Sequence, residues 1–205
     1  MKKLLIILLL LPLFSVAQFK HQPRPVSSSG SGITYTTWNP SDINANMVLS
    51  GGNLTISGNG GGGFQMGRSI KGESSGKWSC EFVPTVGGSL RVGIALITES
   101  LSAQLGSGAG GYAYTDAGTK ANNGSTSAYG TGWGTGDKVT MYFDMGAGTI
   151  GFKLNGTDQG TAFTGIPAGT YYVAISTGLS TYTFVANFGA TALTYPVAGY
   201  NQGVY

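Results

Sequence analysis

The chain has 205 residues, enough for one medium-sized domain with a leader and too few for two independent cores. Charged residues are only 9% and glycine fills 36 positions without a three-residue period, which excludes coiled coils, since interior glycine costs a helix about 1 kcal/mol, and collagen, while 11% aromatics argue against a disordered chain. The formal net charge of +3 falls to 9 basic against 8 acidic residues once Lys2 and Lys3 are set aside, so no basic face is available for a nucleic-acid backbone.

Residues 1–17 have the layout of a signal peptide: Met1-Lys2-Lys3, an apolar run over 4–14, then Ser15-Val16-Ala17 with small residues where a signal peptidase needs them. The apolar run is about half the ~20 residues that span a bilayer, so cleavage after Ala17 is expected, leaving a secreted or periplasmic protein with no membrane attachment. Residues 18–32 read as a flexible Pro/Ser/Gly linker, and its lone His21 has no neighbouring partner for chemistry.

From residue 33 to 205 the chain reads as strands and turns. Val139, Met141 and Phe143 alternate onto one face, as do Ile150, Phe152 and Leu154, and again Tyr182, Phe184, Ala186 and Phe188. Asn155-Gly156 between two such runs predicts a tight hairpin, 144–148 a longer one, and Asn122-Asn123-Gly124 a third. No stretch has helical period; 100–105 has room for one short turn. The sum is an all-β fold, read as one antiparallel sandwich.

The order of short motifs then becomes informative. Thr37-Trp38-Asn39-Pro40-Ser41-Asp42 is followed by Ser75-Gly76-Lys77-Trp78 with Glu81, Val92-Gly93-Ile94 and Gly111-Tyr112-Ala113-Tyr114. Gly136-Asp137, Phe143-Asp144, Phe152-Lys153-Leu154-Asn155-Gly156, Gly160-Thr161-Ala162-Phe163, Tyr171-Tyr172-Val173-Ala174 and Asn187-Phe188-Gly189 complete the set. Over 33–205 this series resembles the SPRY domain, particularly the versions in bacterial, phage and viral proteins. The resemblance implies a concanavalin-like β-sandwich (jelly roll) of two bent antiparallel sheets, and a binding role carried by loops at one end.

Catalysis would need a nucleophile with a base, a metal cluster or paired carboxylates. The eight acids show no closely spaced carboxylate motif, no phosphate-binding glycine loop follows 60–63, and the lone Cys80 reads as a packed strand residue. The expectation is no enzyme, no metal and no cofactor. Aromatic and amide groups on loops remain: Tyr114, Asp116, Asn122, Asn123, Tyr129 and Trp133, within loops near 98–110 and 112–133, are the candidate ligand contacts. Aromatic faces take the C–H side of a sugar ring or a peptide side chain, and short polar groups take hydroxyls or amides. Trp133, with Tyr112, matches a family position that packs in the core, so it carries both readings. The function expected is a secreted recognition module that binds a surface glycan or protein and no nucleic acid. The alternative is a phage tail-fibre or virion receptor-binding module, against which the leader counts. A concanavalin-fold glycoside hydrolase ranks third, because the carboxylate motif is missing.

Overall fold

The computed structural model describes residues 32–205; the expected leader and most of the expected linker lie outside the described residues. Fifteen strands form two antiparallel sheets, one of them carrying a short parallel addition. The seven-stranded sheet runs in the order β1 (Trp38–Ile43), β4 (Gln65–Glu73), β13 (Tyr171–Thr177), β6 (Leu90–Leu96), β7 (Gly111–Thr115), β8 (Thr119–Asn122) and β9 (Ser125–Ala128). The eight-stranded sheet runs β12 (Thr157–Phe163), β11 (Thr149–Leu154), β10 (Val139–Asp144), β5 (Lys77–Val86), β14 (Thr183–Asn187), β3 (Thr55–Gly58) and β2 (Met47–Ser50). The short β15 (Asn201–Gln202) pairs in parallel with β5 on this second sheet. This is the β-sandwich that the alternating sequence predicts.

Strand alternation sends one set of side chains into the space between the sheets. On the eight-stranded sheet these are Cys80 and Phe82 of β5, Val139, Met141 and Phe143 of β10, and Ile150, Phe152 and Leu154 of β11. The seven-stranded sheet answers with Val92, Ile94, Tyr112, Tyr114, Tyr171 and Val173. Trp38 crosses from β1 to stack near Phe82 (6.2 Å between ring centres) and meets Phe188 edge-on at 5.0 Å. Trp78 sits at the margin, half-buried, its ring edge-on to Tyr205 at 5.1 Å.

The turns follow local chemistry. Asn155 and Gly156 have φ of 48° and 86°, the left-handed pair of a two-residue hairpin between β11 and β12. Asn123 and Gly124, at 50° and 74°, make the same turn between β8 and β9. Asp144 closes the 144–148 hairpin by accepting the Gly146 and Ala147 amides on Oδ1 (2.9 and 3.0 Å). The 100–105 stretch carries a single turn in which the Ala103 amide donates to the Ser100 carbonyl at 3.2 Å.

Both outward faces are partly covered. Residues 97–110 fold back over the seven-stranded sheet, where Leu105 packs with Met66, Ala95, Ala113, Ala121 and Ala174 in a second apolar cluster. The small side chains of that face let the loop lie close. Residues 189–203 cross the outward face of the other sheet and place β15 beside β5.

Phe152 is fully buried, 5.1 Å from the Tyr114 ring and 6.1 Å from that of Tyr129. Phe152→Ala is expected to cost about 3–5 kcal/mol, because a cavity adds to the lost transfer energy, and to lower the denaturant midpoint accordingly. A midpoint equal to wild type contradicts this placement.

Candidate functional site

Strand register decides which loops share an end. Thr177 pairs with both Leu90 and Gln65, and Arg91 pairs with Thr115, so the loops at 59–64, 87–89, 116–118 and 178–182 come together. They touch in sequence. The Phe64 ring packs against Gly178, Leu179 lies beside Gly88, and the Gly178 amide donates to the Ser89 carbonyl at 3.3 Å. The Leu90 amide donates to Oδ2 of Asp116 (2.9 Å), and the Trp133 amide to the Asp116 carbonyl (2.9 Å), which ties the 129–138 loop in. Phe64 is 50% exposed and Leu179 43%, with Val86 at 44% on the neighbouring strand end. Exposed apolar side chains on a hydrogen-bonded loop platform are what a partner surface requires.

The six residues expected to bind ligand do not form one site. Tyr114 is fully buried, its hydroxyl donating to the Thr131 carbonyl, and Trp133 is 5% exposed against Tyr114 and Phe184. Neither offers a face to a ligand, because β7 turns its even-numbered side chains inward and the 129–138 loop folds Trp133 over them. Tyr129 is half-buried; its hydroxyl donates to the Gly160 carbonyl and accepts the Phe152 amide (3.2 Å). Asp116 is committed to the Leu90 amide. Asn122 spends its side-chain amide on the carbonyls of Ala109 and Gly111 (3.1 and 2.7 Å), at the opposite end of β7 from Asp116. Asn123 is exposed at the tip of its hairpin, at that same far end. The 98–110 loop runs across the sheet face between the two ends: its Ala109 carbonyl meets Asn122, while the Gln104 side-chain amide donates to the Ser89 hydroxyl at 3.5 Å. What the sequence reading missed is Phe64. The signal was present, as a lone aromatic closing the glycine run 60–63 has no strand partner to explain it.

Seven of the eight carboxylates, all but that of Glu73, are engaged by the fold. Asp42 pairs with Arg68, Glu99 accepts the Gly110 amide (2.9 Å), Asp137 the Gly134 amide (2.8 Å), and Asp158 the Tyr142 hydroxyl (2.7 Å). Glu81, 2% exposed, accepts the Thr194 amide on Oε2 (2.9 Å) and the Tyr195 amide on Oε1 (2.7 Å). The Thr140 hydroxyl adds a bond at 3.3 Å, and the Lys138 ammonium stands 3.8 Å away. A pocket of about 260 Å³ opens beside Glu81 and Asn187, but both side chains already have their partners. Among the described residues, no group of three or more His, Cys, Asp or Glu side chains is placed to share a metal ion.

Comparison with known proteins decides the family. The family model for the SPRY domain matches residues 77–191, more than half of the chain. The chain belongs to the SPRY domain family. Members of this family are in general non-catalytic modules that bind proteins. The domain is 31% identical over 134 residues to a probable ATP-dependent RNA helicase ddx1 from Dictyostelium discoideum, covering 65% of this chain. This chain spans only 17% of that protein's length. Among solved structures it is similar to the SPRY domain of human HERC1, with a TM-score of 0.65 at 20% identity, covering 73% of this chain and 96% of that one. That likeness concerns the fold.

Burial pushes the Tyr114 phenol up to about 12, with the nearby Asp137 charge acting in the same direction. The fold therefore favours the neutral phenol. Its contribution is complete below the ordinary value of 10.0 and is lost as pH rises through about 12. The stability advantage of wild type over Tyr114→Phe should be constant below pH 10 and shrink above it, as read from denaturant midpoints across that range. An advantage that does not change with pH contradicts the buried placement.

Proposed function

We propose that this SPRY domain is an exported protein-recognition module, and that its partner docks on the loop end formed by 59–64, 87–89, 116–118 and 178–182. The observation that carries the reading is the exposure of Phe64, packed on Gly178, and of the next residue Leu179, on a platform braced by the Asp116 and Ser89 hydrogen bonds. Rigid presentation lowers the ordering cost of binding, and two apolar anchors flanked by small polar residues suit a peptide segment better than a sugar. The commitment of seven of the eight carboxylates to structural hydrogen bonds or ion pairs supports a non-catalytic role.

The composition of residues 1–17 supports export and weighs against assembly into a virion. A mature protein that begins at Gln18 agrees with this half of the reading; an intact Met1 on the exported species opposes it.

The binding half is tested with peptides selected from a random display library against the wild-type domain. In Phe64→Ser/Leu179→Ser the selected peptides should bind at least tenfold more weakly, about 1.4 kcal/mol, with an unchanged melting temperature. Affinity equal to wild type in the folded double variant moves the contact to another face.

A further inference from the structure

Two arginines project from the outward face of the seven-stranded sheet, and they are treated differently. Arg68, 2% exposed, is neutralised by Asp42 through Nε and Nη2 (2.7 and 2.8 Å), while its Nη1 donates to the carbonyls of Leu96 and Glu99 (3.1 and 2.8 Å). Arg91 is half-buried and has one protein partner, the Leu105 carbonyl, reached from Nη1 at 2.8 Å. Among the described residues no carboxylate pairs with Arg91. Asp116 is the acid whose charge it feels, and that carboxylate is taken by the Leu90 amide. A guanidinium partly withdrawn from water with no carboxylate in contact is costly, and an arriving anion offsets that cost.

The space over Arg91 is a pocket of about 140 Å³. Gln104 and Ser107 form one wall, Ser125 and Thr126 of β9 the other, and Ala121 part of the floor. Its walls are stapled together. The Gly124 amide donates to the Gly106 carbonyl (3.0 Å) and the Asn123 amide to the Gly108 carbonyl (3.1 Å). Below them Leu105 is 1% exposed, and its amide donates to the Ser176 hydroxyl at 2.8 Å. The pocket therefore exists before any ligand arrives. It presents one guanidinium, one primary amide and the hydroxyls of Ser107 and Thr126, Ser125 contributing its backbone, and no wall is acidic.

We propose that this pocket binds the carboxylate of a small hydroxylated acid, of the uronic-acid type, on the remaining N–H groups of Arg91, while Gln104, Ser107 and Thr126 take the neighbouring hydroxyls. The size fits one acidic sugar unit or its acidic end, being well under the ~300–1,000 Å³ of sites for larger ligands. The walls supply nothing apolar beyond Ala121, so the pocket offers no anchor for a peptide side chain. It lies on the sheet face and shares no lining residue with Phe64 and Leu179, although its Gln104 reaches the Ser89 hydroxyl of the loop end at 3.5 Å.

The test follows amide chemical shifts of Gly106, Ala121 and Gly124 while the protein is titrated with glucuronate, glucose or inorganic sulfate. Glucuronate should shift all three saturably, glucose should not, and sulfate should bind more weakly than glucuronate. Arg91→Lys should weaken glucuronate at least tenfold, because an ammonium cannot make the fork. Since Arg91 also holds the loop, Thr126→Asp is the second variant. It places a carboxylate beside Arg91 from an exposed edge-strand position, should leave the melting temperature unchanged, and should abolish the shifts. No saturable shift with glucuronate, equal shifts with glucose, sulfate matching glucuronate, or undiminished binding to Thr126→Asp would each overturn the assignment.

Discussion

Glu81 is the side chain on which the closure of the domain turns. It sits in the middle of β5, at the centre of the eight-stranded sheet, and points away from the core that Cys80 and Phe82 enter. A buried carboxylate is unfavourable unless donors surround it. Here two backbone amides, a hydroxyl and a nearby ammonium do so, and the amides belong to the C-terminal segment. Beyond that anchor the Lys153 ammonium donates to the Pro196 carbonyl (3.1 Å), Tyr200 packs edge-on to Tyr142, and the Ser79 hydroxyl donates to the Asn201 carbonyl at 2.8 Å. The segment ends by clasping the start of the domain. The Val204 amide donates to the Phe188 carbonyl and the Thr36 amide to the Val204 carbonyl (2.9 and 2.8 Å), with Tyr35 edge-on to Tyr205.

Two outward faces are thus partly covered by two irregular segments, each held by polar groups as well as by apolar contacts such as that of Leu105. On the other sheet the 97–110 loop is held by Arg68, Arg91, Ser176 and Glu99. Both segments satisfy their own backbone groups through side chains of the sheet beneath, which is how an irregular stretch lies flat without losing hydrogen bonds. The loop end keeps the Phe64 and Leu179 side chains exposed, and it is the surface on which the proposed partner would dock.

Local patterns in the sequence carried the fold. The alternation in 139–143 and 150–154 sets which side chains enter the core, and Asn155-Gly156 sets the hairpin, because both depend on neighbours only a few residues apart. The site was less legible. Tyr114 reads as a loop-adjacent aromatic until the register of β7 against β6 turns it inward, and that register is fixed by pairings some twenty residues away. Asp116 and Asn122 are six positions apart in sequence but serve opposite ends of the sandwich, since a strand end and a turn lie between them. Glu81 stands 113 positions before the amide it anchors, at Thr194, so its structural role had no local signature. Phe64 was visible as an oddity beside glycines, but its exposure depends on how the 178–182 loop meets it.

The central claim is that the Glu81 carboxylate holds the C-terminal segment on the sheet, and amide hydrogen exchange in Glu81→Gln tests it most directly. The substitution keeps the shape while replacing one acceptor oxygen by a donor that faces the segment's amides. Hydrogen bonds to a charged acceptor contribute about 1.5–3 kcal/mol, so the Thr194 and Tyr195 amides should exchange at least tenfold faster than in wild type. The Met141 amide, within β10 of the same sheet, should keep its protection. Unchanged exchange at Thr194 and Tyr195 in the folded variant would contradict the account.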